Sequence, residues 1–147
     1  MSDLIVHAGL IAIRLGGYWR GVLIEGPSGA GKSDLALRAL DHGFQLVSDD
    51  RTLLWISGGL LFGRAPRTLA GALEIRGLDV VGEAFLPLAE VVLVVRCNVP
   101  ERIPEPAFAE HLGIAAPLIE LDPSQASAPA KLSRALTLFD ARSKRRI

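Results

Sequence analysis

Cysteine is almost missing from this sequence: Cys97 is the only one among 147 residues. That excludes an intramolecular disulfide and fits a reducing compartment. Cys97 closes the apolar run "VVLVVRCNVP", where a small buried hydrophobe is expected rather than a nucleophile. No leader is expected either, because the N-terminus shows no basic stretch followed by an apolar core and small residues. The early apolar segment "LIVHAGLIAIRLGG" contains His7 and Arg14 and is too short to span a bilayer. A cytoplasmic protein without a membrane partner is the expectation. Net charge is missing too: the formal total is +0, so there is no electrostatic case for nucleic acid as partner. The zero hides a polarity, since residues 131–147 sum to +5 and the remainder to −5. A solvated helix end favoured by the helix dipole explains this best, with contact to a partner or a phosphate as the alternative.

Half of the residues are hydrophobic and 22% are charged, which excludes general disorder and supports a single domain over 1–147. Residues 4–7 and 10–14 read as extended, with a turn at Gly16-Gly17 into the strand-like "YWRGVLIEG". A helix is expected over "KSDLALRALDHG", with Gly43 as its stop. "FQLVSDD" reads as the next strand, and "RTLLWISGGLLFGRAP" as a hairpin about Gly58-Gly59. "GALEIRGLDVVG" is extended and turn-rich, "EVVLVVRC" is the best buried strand, and "APLIELDP" is one more. A Pro/Ala/Ser-rich stretch at 123–130 leads into a C-terminal helix, "APAKLSRALTLFDARSKR". The expected fold is α/β, a mixed sheet carrying one helix after the glycine-rich loop and one at the C-terminus.

The glycine-rich loop is "GPSGAGKS": Gly26, Pro27, Ser28, Gly29, Ala30, Gly31, Lys32 and Ser33. It satisfies the phosphate-loop (P-loop, Walker A) pattern, between a strand and a helix. Its glycines let backbone N–H groups close around a polyphosphate, at the positive end of a helix. Lys32 can neutralise the β- and γ-phosphates, and the Ser33 hydroxyl can ligate Mg²⁺. ATP or GTP binding follows.

Two further acids, Asp49 and Asp50, end the next strand in "LVSDD". Asp is common in turns, so a plain strand end is the bland reading. Beside a cation site, one carboxylate can serve the metal while its neighbour accepts a proton from an alcohol. Strand alternation would point them to opposite sides. By spacing alone the two can exchange roles. By pattern alone Glu74 in "LEIRG" reads as solvent-facing, His7 as a hydrogen-bonded structural group and His42 as a partner of a helix C-terminus. His111 falls in a loop-like region with no role.

Together "HAGLIAI", "GVLIEGPSGAGKSDLALRAL", "GFQLVSDDRT" and "LEIRGLDVV" resemble the catalytic domain of the HPr kinase/phosphorylase family over about residues 4–95. The resemblance implies a P-loop kinase domain related to phosphoenolpyruvate carboxykinase, in a short form without the N-terminal domain of longer members. It implies an ATP- and Mg²⁺-dependent serine kinase acting on HPr or an HPr-like phosphocarrier of the phosphotransferase system. A reverse reaction in which phosphate attacks phosphoserine, and a homo-oligomer (a hexamer in the family), are implied as well. By position, Asp49 would be the base toward the serine and Asp50 would support the site and metal. Glu74 would be metal-associated, and His7 would tune the catalytic aspartate. One departure is visible: "LIELDPSQASAPAKL" stands where the family has an arginine-containing loop, with no arginine before Arg134 and Lys131 as a substitute charge. A P-loop kinase of a small metabolite, or an ATP-binding regulatory module without catalysis, are the alternatives.

Overall fold

The structure, a computed structural model, describes residues 3–139. Strand β1 (Leu4–Val6) is followed by the long strands β2 (Ala8–Leu15) and β3 (Tyr18–Glu25), then helix α1 (Lys32–Leu40). Next come β4 (Gln45–Ser48), the hairpin β5 (Thr52–Ser57) and β6 (Leu60–Arg64), and a second hairpin, β7 (Ala72–Ile75) and β8 (Asp79–Gly82). The chain then runs through β9 (Ala89–Cys97), β10 (Ala107–His111) and β11 (Ile114–Leu121) to α2 (Ala128–Phe139). The four basic residues from Arg142 to Arg146, and the end of the expected C-terminal helix, lie outside the described residues.

Nine strands form one mixed sheet in the order β1-β5-β6-β9-β3-β2-β4, with β11 also on β9 and β10 on β11. Its centre is the parallel set β3, β9 and β11, as the continuous apolar runs of "GVLIE" and "EVVLVVRC" require. Both faces of these strands are covered. Ile11, Val22, Ile24 and Val95 face a core shared with Leu35, Leu132 and Leu136 of the helices, and with Leu73 of the β7–β8 hairpin. The alternate residues Leu10, Ala12, Leu23 and Val94 face a second core with Leu54, Leu61 and Ala109. In α2 the buried residues Ala128, Leu132, Ala135 and Leu136 recur at helical spacing. Full burial of Leu132 and Leu136 contributes about 1.5–3 kcal/mol each, enough to hold a helix that would be marginal alone.

β3 and β9 approach closely where Gly21 lies: a Cβ there would sit 2.3 Å from the Glu90 carbonyl oxygen. Further along the same pair, Glu25 is the last residue of β3 and directly precedes the glycine-rich loop. Its Oε2 lies 2.9 Å from His111 Nε2, and its Oε1 accepts from Arg96 at 3.2 Å. These contacts tie the end of β3 to β9 and to the β10–β11 hairpin. His111, expected in a loop without a role, therefore ends a strand and sits against Glu25. No described helix is long and apolar enough to cross a membrane.

The His111 contact, opposed by burial and helped by Arg96, holds the Glu25 carboxyl below its usual range. A lowered carboxyl stabilises the fold above its unfolded-state value, near 4.5, and that contribution fades as pH falls through the folded value. Glu25→Gln is expected to lower unfolding free energy by about 1–2 kcal/mol at pH 7. The difference from wild type should shrink below pH 4.5 in denaturant melts run across pH. A pH-independent difference would remove the ionised contact from the account.

Candidate active site

The loop after β3 turns into α1 at Gly31, which caps the helix in the left-handed region at φ 101°. Only glycine adopts this conformation without strain. No side chain caps the first turn of α1, so its amides are left to a ligand, at the positive end of the helix. The buried Lys32 ammonium donates to the Gly26 carbonyl at 2.7 Å and the Pro27 carbonyl at 3.0 Å. It thereby lies folded along the loop.

Ser33 faces the other way, and its hydroxyl donates to Asp49 Oδ1 at 2.7 Å. The second oxygen, Oδ2, accepts the Glu74 backbone N–H at 3.0 Å. Asp49 thus joins the start of α1 to the β7–β8 hairpin. Asp50 has φ 66°, uncommon for a residue with a side chain and most tolerated by Asn and Asp. The bend is closed by the Arg51 N–H donating to the Asp49 carbonyl at 2.7 Å and by the Ser48 hydroxyl donating to the Arg51 carbonyl. Strand β4 ends at Ser48. The aspartates therefore part company through a left-handed turn, not through the strand alternation expected from sequence.

Asp50 Oδ1 lies 2.5 Å from His7 Nε2, with both side chains half exposed. His7 sits between β1 and β2. The histidine expected to tune Asp49 is on Asp50 instead, and Asp49 is on Ser33. Lys32, Ser33, Asp49, Asp50 and Glu74 line one cleft of about 370 Å³, together with Ser28, Gly29, Gly31 and Arg76. Gly26, Pro27 and Ala30 complete the loop outside that lining. Arg76 is a cation the sequence reading missed. Its signal was its place two residues after Glu74, which puts both on one side of an extended segment. Lys131 does not line the cleft; its ammonium donates to Gln125 Oε1 at 2.7 Å.

Ser33, Asp49 and Glu74 offer oxygen donors, the type Mg²⁺ takes. No three His, Cys, Asp or Glu side chains cluster tightly enough to hold an ion among the described residues. Mg²⁺ keeps waters and substrate phosphates and uses few protein ligands. Cys97 is half-buried at the end of β9, 3.1 Å from where a Cβ on Gly26 would stand. Burial pushes its thiol up, against the nearby Lys32 charge. It is a packing residue, as expected.

The fold and cleft together define a mixed α/β domain whose glycine-rich loop shares a cleft with Asp49, Asp50 and Glu74. Residues 2–84 match the family model described as the HPr serine kinase C-terminal domain, and the chain belongs to that family. It is 35% identical over 97 residues to the HPr kinase/phosphorylase of Mycoplasmopsis pulmonis, covering 61% of this chain and 30% of that protein. It is 44% identical over 61 residues to that of Clostridium beijerinckii, covering 42% and 20%. The chain therefore spans less than a third of the length of these relatives in the match. Among solved structures, the HPr(Ser) kinase/phosphatase of Coxiella burnetii superimposes with a TM-score of 0.79 at 27% identity. That likeness covers 97% of this chain and 93% of the other.

Asp49→Ala removes the acceptor of both the Ser33 hydroxyl and the Glu74 amide. Hydrogen exchange at the Glu74 N–H is expected to quicken by about tenfold or more, while amides of the buried β9 keep their protection. Unchanged exchange at Glu74 would show that Asp49 does not anchor the hairpin.

Proposed function

We propose that this domain is an ATP- and Mg²⁺-dependent serine kinase whose acceptor is HPr or an HPr-like phosphocarrier. The observation that carries the reading is the pairing of two adjacent carboxylates with different partners in one cleft. Asp49 is bonded to Ser33 of the glycine-rich loop, and Asp50 to His7. Family membership and the named activity of the relatives support the reading.

In this reading the backbone amides of 26–33 and the Lys32 ammonium hold the β- and γ-phosphates. Ser33, Asp49 and Glu74 would hold Mg²⁺, which supplies charge neutralisation on those phosphates. His7 fixes one oxygen of Asp50 and leaves the other for the acceptor hydroxyl. The serine oxygen attacks the γ-phosphorus, the bond from that phosphorus to the β–γ bridging oxygen breaks, and ADP leaves. The hydroxyl proton passes to Asp50. The base is thus Asp50 rather than Asp49, an exchange of the roles expected by position. In the reverse reaction, a phosphate oxygen attacks the phosphoserine phosphorus, the bond from that phosphorus to the serine oxygen breaks, pyrophosphate leaves, and Asp50 returns the proton to the serine oxygen.

The deciding experiment incubates the protein with ATP, Mg²⁺ and HPr from the same organism. Phosphoserine on HPr is expected; its absence while nucleotide binds would exclude HPr and favour a small-metabolite acceptor or a non-catalytic module. Asp50→Asn should keep nucleotide affinity and lose transfer by roughly 10²–10⁴-fold, the usual worth of a general base. Near-normal turnover in that variant would take Asp50 out of the role. Lys32→Ala should weaken nucleotide binding by about tenfold or more in calorimetry, about 1.4 kcal/mol. Unchanged affinity would remove the loop from phosphate binding.

A further inference from the structure

The glycine-rich loop has a cleft on each side. The second, of about 390 Å³, opens beside Ala30 and Asp34 and is walled by Asn98, Val99, Asp122 and Ser124. These last four residues follow the ends of β9 and β11. Because β3, β9 and β11 run parallel side by side, this cleft and the loop share the carboxyl edge of the sheet. Ligands of open α/β sheets bind at that edge.

The two clefts differ in the cations that line them. Lys32 and Arg76 line the first, whereas no lysine or arginine among the described residues lines the second. Asp122, and Asp34 which lines both clefts, leave the second without a described cation to face a polyphosphate and with carboxylate oxygens that accept hydrogen bonds from a neutral group. Hydrogen bonds from the Ser124 hydroxyl at 2.6 Å and N–H at 3.0 Å keep the Asp122 carboxyl below its usual range, so it stays an acceptor. The wall is built, not loose. Asn98 donates from its side chain to Glu120 Oε2 at 2.6 Å and from its backbone to the Leu121 carbonyl at 3.0 Å. Arg38 of α1 donates to Asp34 Oδ2 at 2.9 Å, to the Gln125 carbonyl at 3.1 Å and to the Pro123 carbonyl. Val99, 75% exposed, adds apolar surface at the rim.

We propose that this second cleft is the nucleoside subsite. The nucleotide lies across the glycine-rich loop, with its phosphates toward Lys32, Ser33 and Asp49. Its ribose hydroxyls and base lie against Asp34, Asn98, Val99 and Asp122. The proposal rests on the phosphotransfer reading and adds where the neutral half of that substrate is held. It also separates the work of the sheet: the β4 side carries the chemistry, and the β9–β11 side carries nucleoside recognition.

Photolabelling the full chain with 8-azido-ATP, followed by peptide mapping, tests it. Label that excess ATP prevents is expected at residues 97–99 or 122–124. ATP-preventable label confined to residues 49–76 would overturn the proposal. In a second measurement, Val99→Trp fills the rim at an exposed position that the fold tolerates. ATP affinity should fall by about tenfold or more while inorganic tripolyphosphate binds as before. Unchanged ATP affinity, or equal loss of both ligands, would overturn the subsite. Binding of neither ligand by the wild-type chain would overturn the phosphotransfer reading, and the subsite with it.

Discussion

One carboxylate holds the site together. Asp49 uses one oxygen for the Ser33 hydroxyl and the other for the Glu74 amide. Those groups come from the start of α1 and from β7, elements between which β4, β5 and β6 intervene in the chain. The hairpin β7–β8 forms its own two-stranded sheet and packs on the core through Leu73. Without Asp49 the β7 strand would keep its apolar contacts, which have no directional preference, while the chain after β8 stays bonded to Leu46 of β4. With Asp49, Glu74 and Arg76 are brought opposite the glycine-rich loop, and a cleft with acids and cations on facing walls exists.

The neighbouring aspartate is freed by this arrangement. Asp49 is occupied on both oxygens, whereas Asp50 meets His7 through one oxygen. The left-handed backbone at Asp50 costs of order 1–3 kcal/mol where surroundings must enforce it, and such residues cluster at functional sites. The enforcing contacts are close by: the Ser48 hydroxyl on the Arg51 carbonyl, and the buried Thr52 hydroxyl donating to the Ala8 carbonyl at 2.8 Å. Two carboxylates adjacent in sequence would repel each other if they met one ion from the same side. The turn sends one toward α1 and the other toward the β1–β2 junction, so each can take a separate task.

What was legible in the sequence was what local chemistry decides. The glycine pattern, the leucines of α1 and the turn at Gly58-Gly59 each specify their own element, and the structure has all three. The buried strand β9 announced itself by an unbroken apolar run. β10 did not, because "AFAEH" follows a segment with three prolines and buries only Ala109. Its strand character comes from pairing with β11, and its terminal His111 from contact with Glu25, both tertiary. The pairing of His7 with Asp50 was hidden for the same reason. Strand alternation described the acids as far as Ser48, and beyond it a turn stabilised by residues 48, 51 and 52 took over. Family resemblance pointed to Lys32, Ser33, Asp49, Asp50 and Glu74, which share one cleft, but it implied His7 beside Asp49, and His7 is on Asp50.

The central claim is that the two aspartates divide metal and proton between them, with Asp49 on the metal side. Titrating Mg²⁺ against nucleotide affinity in Asp49→Asn and Asp50→Asn, side by side with wild type, tests it without relying on turnover. The account predicts that Asp49→Asn needs a markedly higher Mg²⁺ concentration to reach tight nucleotide binding, while Asp50→Asn titrates like wild type. A shift in the Asp50 variant alone, or equal shifts in both, would contradict it.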